Sequence, residues 1–381
     1  MRFSDLAIIR RRVIAPSQFN RFSIYLGFEH LDPGALRVNS YGDPGAVTSS
    51  KQAFFPGDTI YGKLRPYFRK VTFIDGVMGI CSTDFWVFQP KPGVDGRFLF
   101  YVAASQEFSD TATSSSEGTR MPRASWSVVK DFEVRDVSPA EQRGIATTLG
   151  ALDDKIESNR RIIGVINELL DVRALQLGSE LPRAALGELV GSSTETVNPL
   201  KLGVQVVDHF SLPAFDSLHM PERIIASKIM SNKLAISATC ILISRLNPRV
   251  NRTWLAIPEP GIPALASTEF LCVQPGGGVE LGAIWLALRD EYFISELRRR
   301  VTGTSGSHQR VRPADALAIE VPDVRMIDRA EKLETTALLE IAYQKQVENQ
   351  RLSRLRDTLL PELLSGRIRV PEAQEVVGSK V

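Results

Sequence analysis

The sequence predicts an α+β protein in which one strand-rich α/β domain is written twice, each copy followed by a long helix. Internal repetition is the first reason. Ser82–Pro90 (STDFWVFQP) returns 185 residues later as Ser267–Pro275 (STEFLCVQP), with five of nine positions identical and Asp exchanged for Glu at a sixth. Gly62–Pro66 (GKLRP) matches Ser244–Pro248 (SRLNP) 182 residues on, and Ile156–Arg160 (IESNR) matches Val347–Arg351 (VENQR) 191 residues on. Solenoid units repeat every 20–50 residues or so, and this period is far longer, so it marks a duplicated domain. The second reason is that both halves place the same kinds of segment in the same order. The third is a coiled-coil seam after the first copy.

The two copies span residues 1–137 and 179–325. Within them, Thr59–Leu64, Val71–Ile74, Phe85–Phe88, Ile241–Ser244 and Phe270–Val273 read as strands bounded by PGD, IDG, QPKPG and QPGGG turns. One helix is expected after each repeated strand, over Arg97–Phe108 and Leu281–Arg300, the latter with three arginines that suit a helix C-terminus. A Gly/Ser/Thr-rich loop follows at 113–123 (TSSSEGTRMPR) and at 302–312 (TGTSGSHQRVR).

The first long helix (138–178) opens at Ser138-Pro-Ala-Glu141, a capping box with proline at the first helical position. Its apolar residues Ile145, Leu149, Leu152, Ile156, Ile163, Ile166 and Leu170 step by fours and threes with Asn159 among them, a seam rather than a broad face. A buried amide on such a seam can fix register and partner. The second (326–368) carries Leu338, Ile341, Leu352, Leu355 and Leu359 on a comparable stripe, interrupted by Lys345 and Glu348. Gly366 supplies its stop, and residues 369–381 read as a polar tail. At ~1.5 Å per residue, each helix of about 40 residues is a rod of roughly 60 Å.

The chain has 381 residues, 43% hydrophobic and 24% charged, which suits sizeable cores and excludes a disordered or disulfide-stapled protein. Its 46 Lys plus Arg against 44 Asp plus Glu leave a net charge of +2, so any basic surface is local. Cys81, Cys240 and Cys272 sit among strand-forming neighbours and read as buried thiols in a reducing compartment. The opening segment lacks the pattern of a secretory signal, and the longest apolar run, Leu234–Ile243, is too short and too polar to cross a bilayer; a cytoplasmic protein without membrane partners is expected.

No phosphate loop, GxGxxG, HExxH, CxxC or GxSxG motif occurs, nor an Asn-Pro-Pro-aromatic segment, and His30, His209, His219 and His308 have no metal-ligand spacing. Catalytic and metal-binding residues are therefore expected to be none. Binding chemistry is visible instead. Lys63, Arg65, Arg69 and Lys70 follow the first repeated strand end and are mirrored by Arg245, Asn247, Arg249 and Arg252. The Gly-rich loops add Thr119, Arg120 and Arg123, mirrored by Ser307, His308, Gln309, Arg310 and Arg312. Arg, Lys, Asn and Gln reach base edges, and Ser and Thr hold phosphates. A helical scaffold whose duplicated domains bind a non-DNA partner is the alternative reading.

Five segments carry a family resemblance: Tyr25–His30 (YLGFEH), Ile60–Pro66 (IYGKLRP), Lys155–Arg160 (KIESNR), Ile241–Pro248 (ILISRLNP) and Leu359–Ile368 (LLPELLSGRI). In this order, over essentially the whole chain, they resemble the specificity subunit of a type I restriction-modification system. The usual second-half Tyr-x-Gly-Leu entry is reduced here to Leu202-Gly203-Val204. The resemblance implies two target-recognition domains, each reading one half of a split double-stranded DNA target. It implies that the long helices pair as an antiparallel coiled coil and act as spacer. It further implies a non-catalytic chain that docks two methyltransferase subunits, with restriction (motor-nuclease) subunits completing the complex. S-adenosylmethionine, ATP and magnesium then belong to those partners, and no cofactor is bound by this chain.

Overall fold

In the computed structural model, which describes residues 1–276, 278–302 and 309–380, the chain packs as two compact units. One comprises Met1–Ile156 together with the residues from Arg351 onward, and the other Glu157–Gln350. The helices Pro139–Glu180 and Arg329–Ser365 are each divided between them.

In the first unit, strands β1 (Ala7–Ile9), β2 (Val13–Ile14), β3 (Tyr25–Leu26), β4 (Lys51–Phe54), β5 (Thr59–Gly62), β6 (Val71–Phe73), β7 (Gly79–Cys81) and β8 (Phe85–Pro90) form two sheets. One is antiparallel with order β1-β8-β5-β6; the other has order β2-β4-β7-β3, with β3 parallel to β7. β5 and β8 are buried along most of their length, which is why they read as continuous β-branched and aromatic runs. Phe3, Tyr61, Trp86, Phe88 and Phe108 fill the core beside them.

The second unit repeats this plan. A short ribbon, β9 (Arg183–Ala185) with β19 (Glu320–Pro322), accompanies β10 (Val190–Ser193), β11 (Thr196–Val197), β12 (Val206–Phe210), β13 (Glu222–Ile225), β14 (Lys233–Ile236), β15 (Cys240–Ser244), β16 (Thr253–Ala256), β17 (Ala264–Ser267) and β18 (Phe270–Pro275). The sheet orders are β10-β18-β15-β16 and β11-β14-β17-β12-β13, the first unit's orders with one added edge strand. Register repeats as well: Gly62 pairs with Phe85, and Ser244 with Phe270, so both matched motifs meet on adjacent strands in each unit. The duplication is thus a duplication of fold.

Several expectations change. Each helix after the repeated strand is two helices, Gly96–Ala104 then Gln106–Ser114, and Leu281–Leu288 then Glu291–Arg299. The breaks fall at Ser105 and Asp290, whose side chains accept the backbone N–H of Phe108 and Phe293; a helix interior would waste those caps. The counterpart of Tyr25-Leu26 is His209-Phe210, not the Leu202–Val204 segment, because β12 pairs in parallel with β17 as β3 does with β7. Residues 370–378 form a helix whose Glu372 carboxylate accepts the Arg369 backbone N–H, and it buries Ala373 and Val377 one turn apart; no polar tail begins there.

The long helices run antiparallel. In the second unit Asn159 Nδ2 donates to Asn349 Oδ1 at 3.0 Å, and Arg173 meets Glu334 at 3.0 Å, so advancing along one helix retreats along the other. Ile145, Leu149, Leu152, Ile156, Asn159, Ile166 and Leu170 are buried as expected, with Ile163 half-buried. On the second helix Leu352 and Leu359 are buried and Leu355 packs beside them. The stripe nearer its start is shifted by one residue. Leu339 and Thr335 are buried, Leu338 is half-buried and Ile341 is 45% exposed. Lys345 and Glu348 do not interrupt the buried face; they pair with each other at 2.9 Å. The phase is set by Thr335 and Asn349, polar residues that an apolar pattern does not count.

All three cysteines are buried, and burial pushes the Cys81 thiol well above its ordinary range. A half-buried group carries a pH consequence. Burial first, and then the Lys233 ammonium, hold the His209 imidazole down to about 4 from an ordinary 6.5. The unfolded chain then binds a proton between roughly pH 6.5 and 4 that the folded unit refuses. Stability is therefore complete above that window and falls as pH drops through it. Denaturant midpoints of the second unit should fall from pH 7 to pH 4.5. His209→Gln should flatten that dependence, and an equally steep slope in the variant would refute it.

Candidate nucleic-acid interface

In the first unit, the segment after β5 turns through Pro66–Phe68 between two residues in left-handed backbone, Arg65 at φ 49° and Arg69 at φ 48°. Non-glycine residues held there cost of order 1–3 kcal/mol and cluster at binding sites. The Gly-rich loop closes as a hairpin on this turn. Glu117 and Arg123 exchange backbone hydrogen bonds at 3.1 Å, Leu64 bridges Arg123, and Arg65 N–H donates to Pro122 at 2.7 Å. Gly118, at φ 94°, makes the hairpin bend possible. Thr119, Arg120 and Met121 stand exposed at its tip, beside exposed Arg65 and Tyr67.

The second unit builds the same arrangement. Asn247 is left-handed at φ 47°, its N–H donates to Gln309 at 2.9 Å, and Leu246 and Thr302 bridge Arg310 on either side. Ser307 and His308 lie outside the described residues.

The acid of the repeated motif ties each loop down. Asp84 receives Nε and Nη2 of Arg123 at 2.8 and 3.3 Å; Glu269 receives Nε and Nη2 of Arg310 at 2.9 and 2.8 Å. The Arg310 guanidinium holds the Glu269 carboxyl below its usual range. The nominated cations therefore fall into two groups. Arg69 caps the helix ending at Ala104 and meets Gln106, and the Lys70 ammonium donates to Phe28 O at 2.6 Å. Arg245 donates to Thr268 O, Arg252 is bidentate on Asp216, and Arg312 pairs with Asp315. Among the described residues, the side chains of Lys63, Arg65, Arg120 and Arg249 make no ion pair with acids of this chain. That second group keeps its charge for a ligand.

With this geometry in view, comparison with known proteins is specific. Residues 34–168 match the family model described as the type I restriction modification DNA specificity domain. Over these residues the chain is similar to type I restriction specificity subunits. It is 31% identical over 194 residues to the EcoDI specificity subunit of Escherichia coli, a match covering 50% of this chain and 41% of that one. It is 21% identical over 319 residues to the MjaIX specificity subunit of Methanocaldococcus jannaschii, covering 74% of this chain and 71% of the relative. The solved type I S subunit from M. genitalium shares its fold, with a TM-score of 0.61, 16% identity and coverage of 96% and 95% of the two chains.

Four residues of this site escaped sequence reasoning. Asp84 and Glu269 stood inside the repeated motif, at its one Asp/Glu exchange, and that exchange was the signal. Tyr67 stood between two nominated arginines, and Met121 directly after a third; an aromatic or thioether among cations is a binding signature that charge alone does not reveal.

Proposed function

We propose that this chain is the non-catalytic, DNA-reading specificity subunit of a cytoplasmic type I restriction-modification assembly. Each unit reads one half of a bipartite double-stranded target. The carrying observation is the doubled site: each unit holds a strained turn, at Arg65 and at Asn247, beside an arginine bridged to the preceding strand end, Arg123 to Leu64 and Arg310 to Leu246. Phosphate contacts by Lys63, Arg65, Arg120 and Arg249 position the units, base contacts specify, and two linked readers multiply their discrimination.

Two methyltransferase subunits and the restriction subunits are the proposed partners, and S-adenosylmethionine, ATP and magnesium are bound there. A second apolar stripe on the first long helix supports a protein partner. Ile162, Val165, Leu169 and Val172 repeat at three and four residues and are 39–65% exposed. Among the described residues no helix is long and apolar enough to cross a membrane.

A base-resolved methylation map of the host genome, with the gene intact and deleted, tests the reading. Loss of one split methylated motif on deletion is the expected result. An unchanged map in cells that express the assembled complex would sink the proposal.

A further inference from the structure

We propose that Asp84 makes Arg123 a base-reading side chain of the first unit, aiming the guanidinium end-on at the O6/N7 edge of a guanine. The inference rests on the DNA-reading function proposed above and deepens it by separating readers from phosphate holders.

The carboxylate grips the guanidinium side-on, through Nε and Nη2. That leaves both Nη1 hydrogens and the outer Nη2 hydrogen, the end-on fork that fits the paired acceptors of guanine. The Arg123 side chain is 45% exposed against 26% for Asp84, so the fork faces outward over its acid. Its backbone is pinned on both sides, to Leu64 and to Glu117. Cα and guanidinium are thus both fixed before a ligand arrives, which removes ordering entropy from binding.

Charge decides between base and phosphate. Arg123 is neutralised by Asp84, and a carboxylate beside a phosphate is repulsive, so the pair is poorly suited to the DNA backbone. A neutral base edge carries no such penalty. The uncompensated cations Lys63, Arg65 and Arg120 are the phosphate holders. Recurrence supports a selected device: Glu269 and Arg310 make the same pair, with Leu246 and Thr302 as the bridging neighbours.

The test uses the chain assembled with its methyltransferase partners and DNA randomised over both half-sites. Arg123→Gln should lose a preference for guanine of roughly ten- to a hundred-fold at one base pair of one half-site. Asp84→Asn should relax that same base pair, and Asp84→Glu should keep it, since glutamate performs the task at Glu269. The salt dependence of binding should stay unchanged in Arg123→Gln, whereas Arg120→Ala should lower the salt slope by about one. Arg123→Lys retains the ion pair but lacks the fork, so it separates lost readout from lost folding. Guanine preference retained in both Arg123→Gln and Arg123→Lys, or relaxation spread equally over both half-sites, overturns the inference. If the unaltered assembly shows no base preference at all, the DNA-reading function itself fails, and this inference with it.

Discussion

Replacing Arg356 with alanine lowers the unfolding free energy of the first unit by about 3 kcal/mol, the scale for a buried ion pair that loses one partner. The Arg356 side chain is 12% exposed and lies across the two long helices, with Nη1 2.7 Å from Asp153 Oδ1. Asp153 Oδ2 also accepts from the buried Tyr101 hydroxyl at 2.6 Å. Truncation therefore strands a carboxylate whose remaining partner is neutral, and it removes an aliphatic stem from the helix interface. Asp153→Leu with Arg356→Met removes both charges at similar volume and should recover most of the loss. Trp86 and Trp126 report this unit, so denaturation followed by fluorescence in a Trp254→Phe, Trp285→Phe background isolates it. A loss below about 1 kcal/mol would make the pair an ordinary surface contact instead.

Gly282→Ala destabilises the second unit by about 2 kcal/mol, although alanine is the better helix former. A Cβ at this position would lie 2.5 Å from Thr336 N, 2.7 Å from Thr336 Oγ1 and 2.9 Å from Thr335 C. Two of those atoms are backbone of the second long helix and cannot swing aside. The substitution also presses on the hydrogen bond from Gly282 N–H to Thr336 Oγ1, 3.0 Å long. Gly164, inside the first long helix, is the matched control. A Cβ there meets nothing within 4 Å, so Gly164→Ala should stabilise the same unit by roughly 0.5–1 kcal/mol. Equal signs for the two substitutions, measured by Trp254 and Trp285 fluorescence, would show that close packing at Gly282 has no energetic weight.

Much of the fold was legible because its signals are local. β5, β8, β15 and β18 are short apolar runs between turn residues. Pro139–Glu180 announces itself by a capping box and a seam. The duplicated motif is visible because Gly62/Phe85 and Ser244/Phe270 must keep one register for both sheets to close. The errors have two causes, one local and one distant. Ser105 and Asp290 broke their helices locally, each capping the backbone N–H three residues on. Polar residues hold the phase of the second helix: Thr335 is buried, and Asn349 bonds Asn159 of the first. His209-Phe210 took the place of the expected entry motif because pairing with β17, not residue identity, defines that strand.

For the site, the sequence alone determined where the basic residues cluster and that they do so twice, since composition and repetition are written along the chain. Only the tertiary structure decided which cations keep their charge. Arg123 finds Asp84 and Arg252 finds Asp216 across 39 and 36 residues, while Lys63, Arg65 and Arg120 find no acid among the described residues. Such pairings depend on which loops the sheets bring within about 3 Å, the reach of a charge-assisted hydrogen bond, and spacing along the chain carries no record of that distance.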